Sequence, residues 1–305
     1  MVRKEIVNGV YPVMLTPFTN KGEVDYSSLI KLVKWYENSG ADGLFAICQS
    51  SELFFLTLEE KIKITNTILN NTTLPVVASG NSQDLLTDQL HEMGEMAKTG
   101  VDAVVLLTNM FAKEDENDNV FIKNLQAFID NFKFDVPLGL YECPYPYKRL
   151  ISNKVLKYII NTKRFVFLKD TSCDIGIIKQ RLDIIKGSDF KLYNANDETL
   201  IKSLNYGANG YSGIHANYST KLLKYIYLNY NKNIEQTKKA FELVVEINTN
   251  SRENLYPVSA KQLLVIRNIF KSIYTRVKDY TLYNEKNEIA GVKLYKKIIK
   301  YEEKK

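Results

Sequence analysis

The chain has 305 residues, a formal net charge of +6 and 45% hydrophobic residues. This length suits one large domain or two ordinary ones, and no segment approaches the roughly 18 uninterrupted apolar residues of a membrane span. The positive charge is mostly lysine on helices and in the tail, without aromatic interleaving or a recognisable nucleic-acid module, so we expect neither nucleic-acid nor membrane partners.

The N-terminus and the cysteines bear on the compartment. The first residues lack the apolar stretch of a signal peptide, so we expect a cytoplasmic protein. Cys48, Cys143 and Cys173 are too few, and odd in number, for a disulfide framework, so we expect reduced thiols. Their spacing matches no zinc pattern, and we predict neither a metal site nor a cofactor.

Short β-rich runs alternate with amphipathic stretches along the first two thirds of the chain. Most runs are almost entirely apolar, as is typical of parallel strands covered on both faces. The predicted strands are residues 10–16, 43–48, 74–79, 103–108, 136–142, 165–169, 191–194 and 210–214. The predicted helices are residues 26–38, 58–70, 85–98, 119–131, 153–160, 175–185 and 197–206, the second beginning with a capping box at Thr57 and Glu60.

Eight strand–helix units in a row predict an α/β fold, a (β/α)8 TIM barrel over residues 1–218. Residues 219–305 are again helical and exceed what a barrel requires. We therefore predict a C-terminal helical region packed on the outside of the barrel. In this fold the active site lies at the carboxyl ends of the strands, so residues following each strand are expected to meet there.

Lys169 ends the apolar run of the sixth strand. An ammonium on a buried strand is costly to desolvate, so its pKa should fall and the free amine become available to attack a carbonyl. The alternative is a lysine that marks the strand end and points to water. The residues of this strand leave both interpretations open.

Other polar residues follow the second and fifth strands. Tyr141 offers a phenol that can move protons to and from a nearby oxygen. Ser50 and Ser51 can hold a carboxylate through hydrogen bonds. Taken one by one, a core tyrosine is commoner than a catalytic one, and an ordinary strand-to-helix turn would account for the two serines. Their convergence on one rim of the barrel is what favours a functional site.

The seventh and eighth strands bring two further groups to the same rim. Asp197 and Glu198 are hydrogen-bond acceptors when ionised, although negative charge on a first helical turn would account for them as well. Ser212 and Gly213 are small residues that allow a ligand to approach closely.

Three motifs in this order carry a family resemblance: Thr16-Pro17-Phe18, Tyr141-Glu142-Cys143-Pro144 and Lys169-Asp170-Thr171-Ser172. The chain resembles the dihydrodipicolinate synthase / N-acetylneuraminate lyase superfamily of Schiff-base-forming aldolases. The resemblance runs from about residue 10 to residue 217.

The resemblance implies roles for individual residues. Lys169 would form an imine with the keto carbon of a 2-oxo acid, usually pyruvate, and Tyr141 would relay protons. The turn that binds the pyruvate carboxylate in the family is Cys48-Gln49-Ser50-Ser51-Glu52 here. Ser50 keeps a hydroxyl, whereas Gln49 and Ser51 depart from the family pattern, so we expect altered carboxylate binding.

Departures at other positions bear on the substrate. The synthases carry a tyrosine where this chain has Phe111, and an arginine that has no counterpart before Arg149. Asp197 and Glu198 resemble the segment with which sialic acid lyases hold a hydroxylated sugar tail. We therefore predict a lyase or aldolase acting on a hydroxylated 2-oxo acid, with a dihydrodipicolinate synthase as the alternative. A non-catalytic barrel that binds oxo acids is the alternative of another class.

The expected partners are small molecules: pyruvate or another 2-oxo acid, together with an aldehyde or a sugar acid. The resemblance also implies a homo-oligomer, a tetramer or a dimer. Met110 and Phe111 would suit an apolar contact on an exposed loop at its interface.

Overall fold

The computed structural model describes residues 3–253 and 255–303, with side chains outside 248–253. The strands in these residues are β1 Gly9–Val10, β2 Leu44–Phe45, β3 Val76–Ser79, β4 Ala103–Leu107, β5 Leu138–Tyr141, β6 Phe165–Asp170, β7 Lys191–Asn194 and β8 Gly210–Tyr211. All neighbouring pairs are parallel, in the order β1-β8-β7-β6-β5-β4-β3-β2.

The two ends of this order meet. Phe45 of β2 donates its N–H to Pro12 O at 3.0 Å and accepts from Met14 N at 3.0 Å. The sheet therefore closes on itself, and the predicted (β/α)8 barrel is confirmed.

The helices alternate with the strands and then continue alone. Their bounds are α1 Tyr26–Asn38, α2 Leu58–Leu69, α3 Leu86–Lys98, α4 Asp118–Asn131, α5 Asn153–Asn161, α6 Ile175–Ile185, α7 Leu200–Asn205, α8 Ala216–Asn229, α9 Ile234–Glu253, α10 Val258–Ile266 and α11 Glu285–Glu302. The predicted capping box of α2 is present, with Glu60 N donating to Thr57 Oγ1 at 3.1 Å and Thr57 N donating to Glu60 Oε2 at 3.0 Å. None of the helices in the described residues has the length and apolarity needed to cross a bilayer.

Several predicted bounds are wrong for local reasons. β1, β2 and β8 have two residues each. Pro12 has no N–H to continue the first ladder, and Cys48 N donates to Ser51 Oγ at 2.6 Å instead of continuing the second. The seventh helix begins at Leu200 rather than 197, because Asn196 Oδ1 accepts from Thr199 N at 2.9 Å and forms a turn first.

The C-terminal region does more than pack on the outside. α8 runs across the boundary expected at residue 218. The segment before α10 and the segment at residues 277–278 reach over the carboxyl ends of the strands, where they line a cavity. The last third of the chain therefore helps to build the mouth of the barrel.

Candidate active site

A cavity of about 860 Å³ opens at the carboxyl ends of the strands. Most of the residues predicted for the site line it, namely Lys169, Tyr141, Gln49, Ser50, Asp197 and Gly213. The barrel thus brings together side chains that are far apart in sequence, at the edge where the fold predicts an active site.

Lys169 lies inside the barrel, with 4% of its surface exposed. Its Nζ is 3.9 Å from the ring centroid of Tyr141 and 5.3 Å from that of Phe45. Burial lowers the pKa of the amine to about 8, because desolvation disfavours its charged form. The interpretation of Lys169 as a strand-end lysine pointing to water is therefore wrong.

Tyr141 lies directly beside this lysine, because β5 and β6 pair in the register that aligns the two residues. Burial raises the pKa of its phenol well above the ordinary value. The phenol is therefore protonated at neutral pH and suited to donate a proton first. Its neighbour Cys143 is a buried thiol whose pKa is raised to about 11, chiefly by desolvation, so it is no nucleophile at neutral pH.

Of the three residues predicted to bind substrate in the turn after β2, two line the cavity. Gln49 and Ser50 line the cavity. Ser51 is fully buried, and its hydroxyl accepts from Cys48 N at 2.6 Å and donates to Cys48 O at 2.9 Å. The side chain of Ser51 therefore closes its own turn, which corrects its predicted place among the substrate-binding residues.

Glu52 fixes the end of this turn to the C-terminal region. Its φ of 66° lies in the left-handed region, and its carboxylate accepts from Lys261 Nζ at 2.6 Å and from Arg276 N at 2.7 Å. The side chains of Glu52 and Lys261 are 1% and 0% exposed. A charge pair is tolerable at this depth only because each partner satisfies the other.

Asp197 lies in the cavity wall but is already engaged. The Tyr211 hydroxyl donates to Oδ1, and His215 Nδ1 faces Oδ2. Glu198 is exposed and does not line the cavity, because the chain turns between residues 196 and 199 before α7 begins. The predicted pair of acceptors is thus reduced to Asp197.

Ser212 and Gly213 line different cavities. Gly213 lines the cavity, where an added Cβ would lie 2.2 Å from the Tyr211 hydroxyl and 2.5 Å from Ala195 O. Ser212 faces a different void of about 10 Å³, which it shares with Lys169 on the inner side of the barrel. The structure thus places Ser212 apart from the larger cavity, and its predicted part in substrate binding stays a prediction.

A buried ion network supports the strand ends that carry the amine and the phenol. Arg181 of α6 donates to Glu142 Oε1 at 2.6 Å and also contacts Asp170. These three side chains are at most 1% exposed. Glu142 follows Tyr141 and Asp170 follows Lys169, so the network holds both strand ends from behind the cavity.

The side-chain amide of Asn109 bonds to three backbone carbonyls of the loop after β5. Asn109 Nδ2 donates to Cys143 O, Tyr145 O and Tyr147 O at 3.1, 2.7 and 2.9 Å. Phe111 is 2% exposed and packs on phenylalanines of α4, so it is not the exposed interface residue that we expected.

Two cations near this loop have different orientations. Arg149 donates to Glu116 O at 2.6 Å and does not line the cavity. Lys148 does line the cavity and donates to Thr171 O at 3.0 Å.

The sequence did not predict the contributions of the C-terminal region. Tyr256 and Lys278 line the cavity, and Lys261 holds the turn after β2. A lysine within the apolar α10 was a signal for the last of these, because a charge on such a helix needs a buried partner. The described residues contain no group of three His, Cys, Asp or Glu able to hold a metal ion.

Comparisons with known proteins identify the family of this chain. The profile of the Dihydrodipicolinate synthetase family matches residues 6–290. The 4-hydroxy-tetrahydrodipicolinate synthase of Staphylococcus epidermidis is 27% identical over 248 residues, covering 78% of this chain and 82% of the relative.

Solved structures share the fold at lower identity. Dihydrodipicolinate synthase from Acinetobacter baumannii complexed with pyruvate has a TM-score of 0.85 at 20% identity, covering 96% of this chain and 99% of that one. CdNal from Clostridium difficile in complex with mannosamine has a TM-score of 0.85 at 17% identity, covering 97% of this chain and 100% of that one.

Proposed function

Because the chain belongs to the dihydrodipicolinate synthetase family, we propose that it joins Lys169 to a 2-oxo acid as a Schiff base and makes or breaks a carbon–carbon bond beside it. Members of this family are lyases and synthases of the class I aldolase type. The observation that carries the proposal is the buried amine of Lys169, with a pKa lowered to about 8, 3.9 Å from the Tyr141 ring.

The chemistry follows from these two groups. The free amine of Lys169 attacks the keto carbon, and the resulting carbinolamine loses its hydroxyl as water after taking a proton from Tyr141. The Tyr141 phenolate then takes the proton of the substrate's hydroxyl group. The bond between that hydroxyl-bearing carbon and the carbon next to the imine breaks, an aldehyde leaves, and the electron pair moves to the imine nitrogen. Tyr141 reprotonates the resulting enamine on carbon, and hydrolysis by water gives pyruvate and the free lysine and returns a proton to Tyr141. The same steps in reverse join pyruvate to an aldehyde.

We propose a hydroxylated 2-oxo acid, such as a sugar acid, as the substrate that is cleaved. The cavity of about 860 Å³ has room for an extended chain, and Asn196, Asp197 and His215 offer polar atoms along its wall. Since Tyr211 and His215 already engage Asp197, this residue would contribute less to binding hydroxyls than a free carboxylate would.

A condensing synthase is the second candidate, and one observation favours it. Lys148 and Lys278 both line the cavity. Their charges would attract an aldehyde that carries its own carboxylate, the role for which the sequence offered no arginine. A relative of this type is the 4-hydroxy-tetrahydrodipicolinate synthase of Staphylococcus epidermidis.

Borohydride reduction in the presence of pyruvate, followed by peptide mass mapping, tests the chemistry. We expect a pyruvate adduct on Lys169 and none in the Lys169→Met variant. A folded protein that binds 2-oxo acids but gives no adduct with any of them would instead be the non-catalytic barrel.

A second assay separates the two candidates. Release of pyruvate from hydroxylated 2-oxo acids would support the lyase. Condensation of pyruvate with aspartate semialdehyde would support the synthase.

The expected dimer or tetramer stays a proposal. Met110 is only partly buried and Leu85 is 65% exposed, so apolar surface is present for a contact between copies. Sedimentation velocity over a range of protein concentrations tests it, and a single monomeric species would contradict it.

A further inference from the structure

A line of hydrogen bonds runs from the barrel wall to the cavity. Tyr36 of α1 donates its hydroxyl to Asn217 Oδ1 of α8 at 3.1 Å. Asn217 Nδ2 donates to the Tyr256 hydroxyl at 3.2 Å, and Tyr256 donates to Ser50 Oγ at 2.8 Å. Tyr36 and Asn217 are fully buried, whereas Ser50 and Tyr256 line the same cavity as Lys169.

The direction of this line is set at Asn217. Its Oδ1 can only accept, so the Tyr36 hydroxyl donates its proton to that oxygen. Its Nδ2 can only donate, so the Tyr256 oxygen accepts from the amide and the Tyr256 proton turns to Ser50. Each following group accepts from the one before it and donates to the next.

The last proton in this line belongs to Ser50. In the described part of the chain, its only hydrogen bond is the one it accepts from Tyr256. Its own proton therefore points away from the line, on the side of the cavity. A hydroxyl held as a donor suits a ligand group that only accepts, such as a carboxylate.

We propose that Tyr36, Asn217 and Tyr256 are positioning residues that hold the Ser50 hydroxyl as a donor to the carboxylate of the 2-oxo acid. This inference rests on the proposed function, since it supplies a partner for the acid bound at Lys169. It also gives the C-terminal region a part in substrate binding, through Tyr256.

The test uses the Tyr256→Phe variant of the full-length protein and two small ketones. Borohydride trapping on Lys169 is followed with pyruvate and with hydroxyacetone, which has an alcohol in place of the carboxylate. We expect the half-saturating pyruvate concentration to rise about 10-fold, since one hydrogen bond to a charged group is weakened. Trapping of hydroxyacetone should stay within about 2-fold, because this ligand does not need an obligate donor.

Matched variants separate positioning from general damage. Tyr283→Phe removes another tyrosine hydroxyl of the C-terminal region. This hydroxyl donates to Asn287 O at 3.1 Å and does not line the cavity, so trapping of both ketones should stay unchanged. Ser50→Ala should weaken pyruvate trapping, and adding Tyr256→Phe to it should cost little more, because Tyr256 acts through Ser50. Should Tyr256→Phe fail to fold, Tyr36→Phe interrupts the same line at its far end.

The outcomes distinguish a failure of the proposed function from a failure of the positioning role. If the wild-type protein traps no 2-oxo acid on Lys169, the proposed function fails. If the wild-type protein traps pyruvate, the proposed function stands and three results would overturn the positioning role. Tyr256→Phe could leave the half-saturating pyruvate concentration unchanged, or weaken the trapping of both ketones equally. Its effect could also add in full to that of Ser50→Ala in the double variant.

Discussion

Two features of the Lys169 environment have opposite effects on the pKa of its amine. It is buried to 4% exposure, and it lies 3.9 Å from the ring centroid of a tyrosine whose π face favours a cation. Desolvation is the larger effect, so the pKa of the amine falls to about 8. A fraction of the amine is therefore free at neutral pH, where a solvated lysine would be almost wholly protonated.

The lowered pKa predicts a pH dependence of catalysis. Imine formation should speed up as pH rises through about 8, because only the free amine attacks the carbonyl. Trapping rates at limiting pyruvate, measured from pH 6 to pH 10, check this. A rate that does not change over this range would contradict the assignment of Lys169 as the nucleophile.

The same pKa predicts a stability effect. Between pH 8 and 10.5 the folded state binds fewer protons at Lys169 than the unfolded state, so stability rises with pH there. Below this range the full penalty for burying the charge remains. Lys169→Met should therefore raise the free energy of unfolding at pH 7 by about 3 kcal/mol and abolish imine trapping. Urea unfolding at several pH values measures this, and a loss of stability at pH 7 would be the contrary result.

Tyr141 is the proton-transfer group of the proposal. Tyr141→Phe keeps the ring against Lys169 but removes the hydroxyl, so turnover should fall by about 10²- to 10⁴-fold. Steady-state rates, with circular dichroism as a check of folding, give the answer. Wild-type turnover in the variant would assign proton transfer to another group.

The ends of β5 and β6, which carry the candidate site residues, are held in place by a buried ion network. Tyr141, the last residue of β5, and Lys169, the next-to-last residue of β6, line the cavity, and each is followed by a carboxylate that does not line it. Arg181 joins Glu142 to Asp170, so one side chain ties the two strand ends together. Such a network contributes less to stability than its contacts suggest, because all three charges are desolvated, but removing one member is costly.

Removal of Arg181 leaves two buried carboxyl groups without their cation. Arg181→Met should lower the free energy of unfolding by about 3 to 5 kcal/mol at pH 7, and by less in acid, where protonation relieves the buried charges. The control is Lys179→Met on the same helix, whose ion pair with Asp183 is exposed and should contribute nothing measurable. Equal unfolding midpoints for the two variants would contradict this prediction.

At the scale of the whole molecule, the barrel and the C-terminal region share the site. α10 inserts Lys261 beside Glu52, and the preceding segment places Tyr256 on Ser50. The turn that we expect to bind the carboxylate is therefore held from both sides. A barrel ending at residue 218 would lack these contacts.

Lys261→Met tests this coupling. The variant leaves Glu52 buried without a cation, so stability should fall by about 3 to 5 kcal/mol, and the half-saturating pyruvate concentration should rise because the turn loosens. Lys271→Met is the control, since that lysine is 65% exposed. Unchanged pyruvate trapping in a destabilised Lys261→Met would mean that the contact stabilises the fold without serving the site.

The barrel could be predicted from the sequence because its signals are local. Apolar runs, amphipathic helices and the capping box of α2 each follow from residues close together, and the strand ends after residues 141 and 169 identified the amine and the phenol. Bounds were wrong where a side chain competed with the backbone ladder, as at Ser51 and Asn196.

The orientation of polar groups was decided only by the tertiary structure. Nothing near Ser51, Glu198 or Ser212 in sequence shows that each faces away from the cavity, and nothing near Tyr256 shows that it bonds to Ser50. The sequence by itself determined the order of the strands and helices, and it placed the candidate amine and phenol near the carboxyl ends of two strands. Hydrogen bonds between segments up to 224 residues apart decided which polar groups line the cavity, because buried polar atoms take partners wherever the fold brings them.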